Sequence, residues 1–279
     1  MEKSIIKDTI CRSILNRSGI PGIDYTINPY LGCLHGCVYC YARFMTRFSK
    51  SGLPWGRFCE VKVNAAEVLR KQLLKAKTGL VSLSTVTDPY QALEKKYGLT
   101  RAILLQLADS GFPVSILTKS DLVLRDIDVL GRFDADSCEV GFSVVSPDDD
   151  VRKAFEPGAP SIGSRIEAIK NLHLAGIRTW VFLAPALPYL VETGLAEFID
   201  SIAGSADRLL VDRLNIKCGN WQGINRSLAV KFPSLMTKWR DILFSEKEKG
   251  SYYVSLYEKI ASLCSRKGIP VDFVDLENS

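Results

Sequence analysis

Cys33, Cys37 and Cys40 put three of the chain's eight cysteines within eight residues, in the stretch Asn28-Pro29-Tyr30-Leu31-Gly32-Cys33-Leu34-His35-Gly36-Cys37-Val38-Tyr39-Cys40-Tyr41-Ala42-Arg43. Each external iron of a cubane takes one terminal thiolate, so its ligands must converge from a short, sharply folded loop. Gly32 and Gly36 supply backbone freedom for that fold. The spacing is read as three ligands to a [4Fe–4S] cluster, with one iron left open. An open iron can bind the amino and carboxylate groups of S-adenosylmethionine and pass an electron to its sulfonium, which is radical chemistry carried by the cofactor. Three other readings use the same residues. A buried helix face would space cysteines at i, i+4 and i+7, but Pro29, Gly32 and Gly36 make a poor helix. Zinc could take the three thiolates with His35, although the usual paired spacing is missing. Cys37 and Cys40 also form a C-x-x-C dithiol, here without a thioredoxin pattern after it.

A loop of this kind needs elements on both sides to hold it. Residues 24–28 are the expected first strand, leading into the cysteines. Residues 58–63 alternate as a short strand outside the main series. Asn64 is the expected N-cap of a helix reaching about Lys77, with Glu67 completing a capping-box pattern. Strands are then expected at residues 80–86, 113–118, 138–145, 178–183 and 208–214. Helices are expected between them at 100–108, 121–130, 164–174 and 194–202. Two longer helical patterns, about 235–247 and 252–267, precede a last apolar run at 271–276. Such alternation argues for parallel strands joined by crossovers. Polar groups at or just beyond the strand ends, among them Thr87, Asp88, Lys119, Ser143 and Ser146, suit a barrel-like α/β fold with its site on that face. The expected organisation is one domain over 1–279, with a lead-in to about residue 23 and a C-terminal extension from about 215.

With 47% hydrophobic and 24% charged residues, the 279-residue chain has the composition of a globular protein with a sizeable core. The 36 Lys and Arg exceed the 31 Asp and Glu by five. That excess permits a nucleic-acid or other anionic partner without arguing for one. No dense basic run stands out, and Glu246-Lys247-Glu248-Lys249 alternates in sign, so the charges read as a solvated surface. The N-terminus lacks the apolar region of a signal peptide, and no apolar run reaches the ~18 residues of a membrane span. A cytoplasmic location with no membrane partner is expected, where clustered thiols more often bind metal than form disulfides.

The C-x3-C-x2-C loop with an aromatic before its last cysteine resembles the radical S-adenosylmethionine superfamily. Together with Thr87-Asp88-Pro89-Tyr90-Gln91, Thr118-Lys119-Ser120 and Phe155-Glu156-Pro157, the longer string from Asn28 to Arg43 is similar to the spore photoproduct lyase-like, or DNA-repair-photolyase-like, branch. The likeness runs from about Ile5 to Pro188. It implies a partial (β/α)6 TIM-like barrel with a C-terminal helical extension. It also implies reductive cleavage of S-adenosylmethionine to methionine and a 5′-deoxyadenosyl radical, with a reductant such as flavodoxin or ferredoxin. By the same resemblance Lys119 faces the cofactor carboxylate, Ser143 lies near the cofactor, and the backbone of Tyr39 lies near adenine. Thr87 and Asp88 are expected near its amino or ribose groups, and Tyr41 is a candidate for a hydrogen-atom relay.

One departure bears on the reaction. The resemblance implies a cysteine hydrogen donor near the end of the 80–87 strand, and this chain has no cysteine between Cys59 and Cys138. Thr85 or a neighbour stands there, and a hydroxyl does not donate hydrogen as a thiol does. Cys218, in Lys217-Cys218-Gly219-Asn220, is the candidate for a substrate-side thiol, while Cys138, which begins a strand, should face away from the chemistry. Glu156 and Arg165 are expected to pair, and His173 is expected to be structural. Two functions are carried forward. One is a radical enzyme abstracting hydrogen from an unidentified substrate. The other is a zinc-binding, non-enzymatic module that binds nucleic acid.

Overall fold

The computed structural model describes residues 4–274; the ends of the chain, including residues 275–276 of the last apolar run, lie outside them. Its strands are β1 (Ile5–Thr9), β2 (Asn16–Arg17), β3 (Tyr25–Ile27), β4 (Tyr30–Leu31), β5 (Phe58–Lys62), β6 (Val81–Leu83), β7 (Val114–Thr118), β8 (Cys138–Val144), β9 (Arg178–Ala186), β10 (Arg208–Arg213) and β11 (Val271–Phe273). The larger sheet runs β2-β3-β6-β7-β8-β9-β10-β11, parallel from β3 onward, with β2 antiparallel at one edge. Among the described residues the two edges do not pair, so the mixed α/β fold is a partial barrel of the TIM type. A small second sheet sets β5 between β1 and β4, as expected for a strand outside the series.

The strands sit where apolar residues recur. Along β8, Val140, Phe142 and Val144 on one face are fully buried, and Gly141 and Ser143 on the other are buried too, the pattern of a strand covered on both faces. Each of those apolar side chains contributes roughly 1.5–3 kcal/mol through burial. The register places Thr118 beside Phe142 and Ser143 beside Phe182, so the ends of β7, β8 and β9 lie together. Cys138 opens β8 at the opposite end.

Several elements differ from expectation. The last apolar run, expected after the two long helices, is a strand: β11 adds to β10, so the C-terminal extension returns to the sheet after its helices. Asn64 stands at the start of the helix Ala65–Leu73 but does not cap it through its side chain. Its amide instead pins Cys11, accepting from the backbone N–H at 2.8 Å and donating to the carbonyl at 2.9 Å. The helix Asp149–Phe155 was not foreseen; Asp148 caps it by accepting from the Asp150 N–H at 2.8 Å. The helix Trp221–Lys231 was also not foreseen, because its flanking Asn220 is turned inward rather than capping. The two long C-terminal patterns are Met236–Phe244 and Glu246–Ser265, divided at Ser245, whose hydroxyl accepts from the Glu248 N–H. Among the described residues no helix is long and apolar enough to cross a membrane.

Candidate active site

The cysteine loop leaves β3 and is held at both ends. Asn28 accepts from the Val86 N–H at 3.0 Å, and its own carbonyl accepts from Lys62 Nζ at 2.7 Å. Thr87 Oγ1 donates to the Gly32 carbonyl at 2.7 Å, while Gln91 accepts from the Leu34 N–H at 3.0 Å and donates to the Thr87 hydroxyl. The Thr87–Gln91 string therefore clasps the start of the loop. Gly32 and Gly36 adopt φ of 95° and 61°, which other residues rarely take.

The far side of the loop rests on the turn after helix Asp149–Phe155. Val38 N–H donates to the Phe155 carbonyl at 2.9 Å, and Gly158 N–H donates to the His35 carbonyl at 2.9 Å. A Cβ on Gly158 would stand 2.2 Å from the Leu34 carbonyl oxygen, a backbone atom that cannot turn aside. Gly158→Ala is expected to push the cysteine loop outward. Iron retained after anaerobic reconstitution should fall at least several-fold, with circular dichroism of the sheet unchanged.

Glu156 closes that helix and is the centre of a buried charged cluster. It and Arg165 are wholly buried and paired at 2.6 Å, as the sequence led us to expect. Arg165 is also fixed by the Ser143 carbonyl at 2.7 Å and the Pro160 carbonyl at 2.9 Å. The other oxygen of Glu156 accepts from the Tyr39 hydroxyl and lies 3.6 Å from Lys119 Nζ. Lys119 in turn donates to Ser143 Oγ at 2.9 Å. Burial is the largest effect on the Lys119 ammonium and works against it, but Glu156, Cys37 and Asp88 together outweigh it and the lysine is held above its ordinary value. Burial likewise works against the Glu156 carboxylate. Arg165 and then Lys119 reverse that effect and hold it below the usual carboxylate range.

Tyr39, Lys119 and Ser143 are thus brought together around Glu156. Asp88 stands beside them with its oxygens engaged: it accepts from Thr118 Oγ1 at 2.7 Å, the Tyr90 N–H at 2.8 Å and the Lys119 N–H at 2.9 Å. His35 Nδ1 is 3.6 Å from it. Tyr41 lies apart on the rim, with its hydroxyl donating to the Thr85 carbonyl. Cys218 is exposed at φ 55° in the turn before Trp221–Lys231, and the ring of Tyr41 lies 5.1 Å beneath Lys217 Nζ. Sequence reasoning paired Glu156 with Arg165 but missed its hold on Tyr39 and Lys119. It also missed Gly158 and Asn220, whose amide donates to the Tyr39 carbonyl at 2.8 Å.

The thiols fit a group that strips their protons. Cys33 and Cys37 are buried, and Cys40 partly so. Burial, and for Cys33 then the Asp88 carboxylate, pushes the Cys33 thiol well up; burial pushes Cys37 up to about 12 and Cys40 upward also. Cationic iron would remove that cost, since a coordinating thiol is deprotonated outright. Among the described residues no three His, Cys, Asp or Glu side chains are gathered as donors to one metal ion. A cubane does not require that gathering, because each thiolate bonds its own iron.

A parallel partial barrel with a three-cysteine loop after its first barrel strand defines the class. The family model for the radical SAM superfamily matches residues 27–202, and the chain belongs to that superfamily of enzymes. An uncharacterized protein of Methanocaldococcus jannaschii is 40% identical over 178 residues, 64% of this chain and 66% of that protein. An uncharacterized protein of Mycobacterium bovis is 31% identical over 278 residues, 93% of this chain and 80% of that one. Among solved structures, spore photoproduct lyase complexed with dinucleoside spore photoproduct superposes with a TM-score of 0.69, over 96% of this chain and 82% of that one. Its 18% identity makes this a likeness of fold.

Proposed function

We propose that Cys33, Cys37 and Cys40 hold a [4Fe–4S] cluster, that S-adenosylmethionine binds beside it, and that the enzyme abstracts hydrogen from a substrate entering the barrel mouth. The observation that carries this reading is the convergence of Lys119, Ser143 and Tyr39 on buried Glu156 beside the three-thiol loop. When bound, the cluster and S-adenosylmethionine supply a 5′-deoxyadenosyl radical by one-electron cleavage to methionine.

The chain's own groups bind and orient. Lys119 keeps its charge because Glu156 answers it, and one partly exposed ammonium is left to pair with the cofactor carboxylate. Ser143 fixes that ammonium from the side, with its own hydroxyl within 3.2 Å of the Ala184 carbonyl. Asp88 sets the Lys119 backbone, and Thr87 holds the loop at Gly32. The buried ring of Tyr39 closes the floor. Tyr41 and Cys218, on the rim, are the candidates for handling the hydrogen atom.

The electron comes from a reductant such as flavodoxin or ferredoxin, in the cytoplasm. Substrates of nucleic-acid, peptide or metabolite chemistry all remain within this reading. The hydroxyls Ser84 and Thr85 stand at the end of β6 where a thiol donor would be needed, so repair of a thymine dimer through a cysteine there is not proposed.

Lys119→Met tests the cofactor cradle. A charge-assisted hydrogen bond is worth roughly 1.5–3 kcal/mol, so S-adenosylmethionine should bind about 10- to 100-fold more weakly with the iron content unchanged. Equilibrium dialysis with labelled cofactor measures it. Equal affinity in the two proteins would remove Lys119 from the cradle.

A further inference from the structure

Two stretches of the chain carry cations without a single carboxylate. Residues 41–59 hold Arg43, Arg47, Lys50 and Arg57, and residues 213–240 hold Arg213, Lys217, Arg226, Lys231, Lys238 and Arg240. Together they contain ten of the 36 Lys and Arg and none of the 31 Asp and Glu, where an even spread would place about five. The remainder of the chain is left with more acidic than basic residues. No single window shows this, because more than 150 residues separate the stretches.

The fold joins them. Arg43 Nη1 donates to the Gly219 carbonyl at 2.9 Å, and Lys217 Nζ sits 5.1 Å over the Tyr41 ring. Asn220 ties the second stretch to the Tyr39 carbonyl inside the cysteine loop. The 3-10 helix Tyr41–Phe48 and the turn before Trp221–Lys231 therefore lie together, with Arg47 exposed on the first and Lys217 on the second. Cys40, the least buried of the three loop cysteines, immediately precedes that 3-10 helix.

We propose that this face docks an acidic one-electron carrier protein, which delivers its electron on the Cys40 side of the loop. The inference rests on the cluster reading above. One electron passes from carrier to cluster; the carrier is oxidised and the cluster reduced by that electron, and no bond forms or breaks. Complementary charge of this kind steers encounter and raises the association rate, steeply with falling salt. A nucleic-acid strand is the competing partner for a basic face. Strand binding stacks bases on open aromatic faces. Here Arg47 lies over Phe48 at 4.7 Å and Phe44 at 5.4 Å and Lys217 over Tyr41, so these rings already carry cations on one face, although Phe48 and Tyr41 stay 56% and 42% exposed. The location over a cluster ligand favours the carrier.

The test uses the reconstituted protein and its Arg47→Glu/Lys217→Glu variant, both changes being at exposed positions. Reduced flavodoxin is mixed with each, and loss of the cluster's visible absorption is followed anaerobically by stopped flow. The flavodoxin rate should fall at least about 10-fold in the variant, and in the wild type between about 50 and 200 mM salt. Reduction by photoreduced 5-deazariboflavin, a small neutral donor, should be equal in the two proteins, with equal iron content. An unchanged flavodoxin rate in the variant overturns the proposal. So does loss of single-stranded oligonucleotide binding with the flavodoxin rate intact. Should no cluster assemble in either protein, the cluster reading fails by itself. Calorimetric binding of flavodoxin to the cluster-free chain, lost in the variant or not, then decides the docking face.

Discussion

Cys37→Ala is expected to leave the folded chain without iron. Wild-type protein reconstituted anaerobically should hold about four irons and four sulfides, and the variant fewer than about one, because a cubane held by two thiolates is not retained. Visible charge-transfer absorption should vanish, and cleavage of S-adenosylmethionine should drop at least ~1000-fold, to background. The fold itself should survive. Cys37 is buried, its thiol is held protonated by burial, and losing one sulfur from a packed site costs on the order of 1 kcal/mol. Cys264→Ala is the control. It removes an equally buried thiol from the helix Glu246–Ser265, far along the chain, and should keep full iron. If Cys37→Ala retains iron while Cys264→Ala loses it, the ligand assignment is wrong.

Glu156→Ala should be the most destabilising single change at the site. It leaves Arg165 with a wholly buried charge facing only carbonyls, and it removes the counter-charge of Lys119. Breaking a buried pair from one side costs about 3–5 kcal/mol. A fall of roughly 10 °C in the melting temperature is the corresponding scale for a chain of this size. Glu156→Gln keeps the shape, so packing loss and charge loss can be told apart. Arg165 and Lys119 hold the Glu156 carboxylate below its ordinary value of 4.5. A depressed folded value means stabilisation that is complete above the ordinary value and is lost as pH falls through the folded one. Urea midpoints should therefore decline toward acid more steeply in the wild type than in Glu156→Gln. Parallel declines would show that Glu156 is not the carboxylate being titrated.

What the sequence disclosed depended on the distance over which each feature acts. The cysteine loop is local, so three thiols and two glycines in nine residues were enough to read it. Strand runs such as 113–118 and 138–145 were legible because apolar residues recur in them, and they became β7 and β8. The helix Asp149–Phe155 was passed over although Asp148 is a good cap, because acidic Asp148-Asp149-Asp150 reads equally as a loop. Asn64 misled in the opposite way: it has the right chemistry for a cap but uses it on Cys11, 53 residues away. The hub at Glu156 was only half visible. Arg165 lies nine residues on and was paired with it, whereas Tyr39 is 117 residues distant and nothing local announces that contact. The cationic face was hidden for the same reason.

The most direct measurement is 5′-deoxyadenosine itself. Protein reconstituted anaerobically, reduced with dithionite and incubated with S-adenosylmethionine should yield 5′-deoxyadenosine and methionine in equal amounts by chromatography. Yield should scale with the iron bound by Cys33, Cys37 and Cys40 and disappear in Cys37→Ala. A colourless protein that loads zinc on the same three cysteines, and forms neither product under reduction, would contradict the assignment of this loop to radical chemistry.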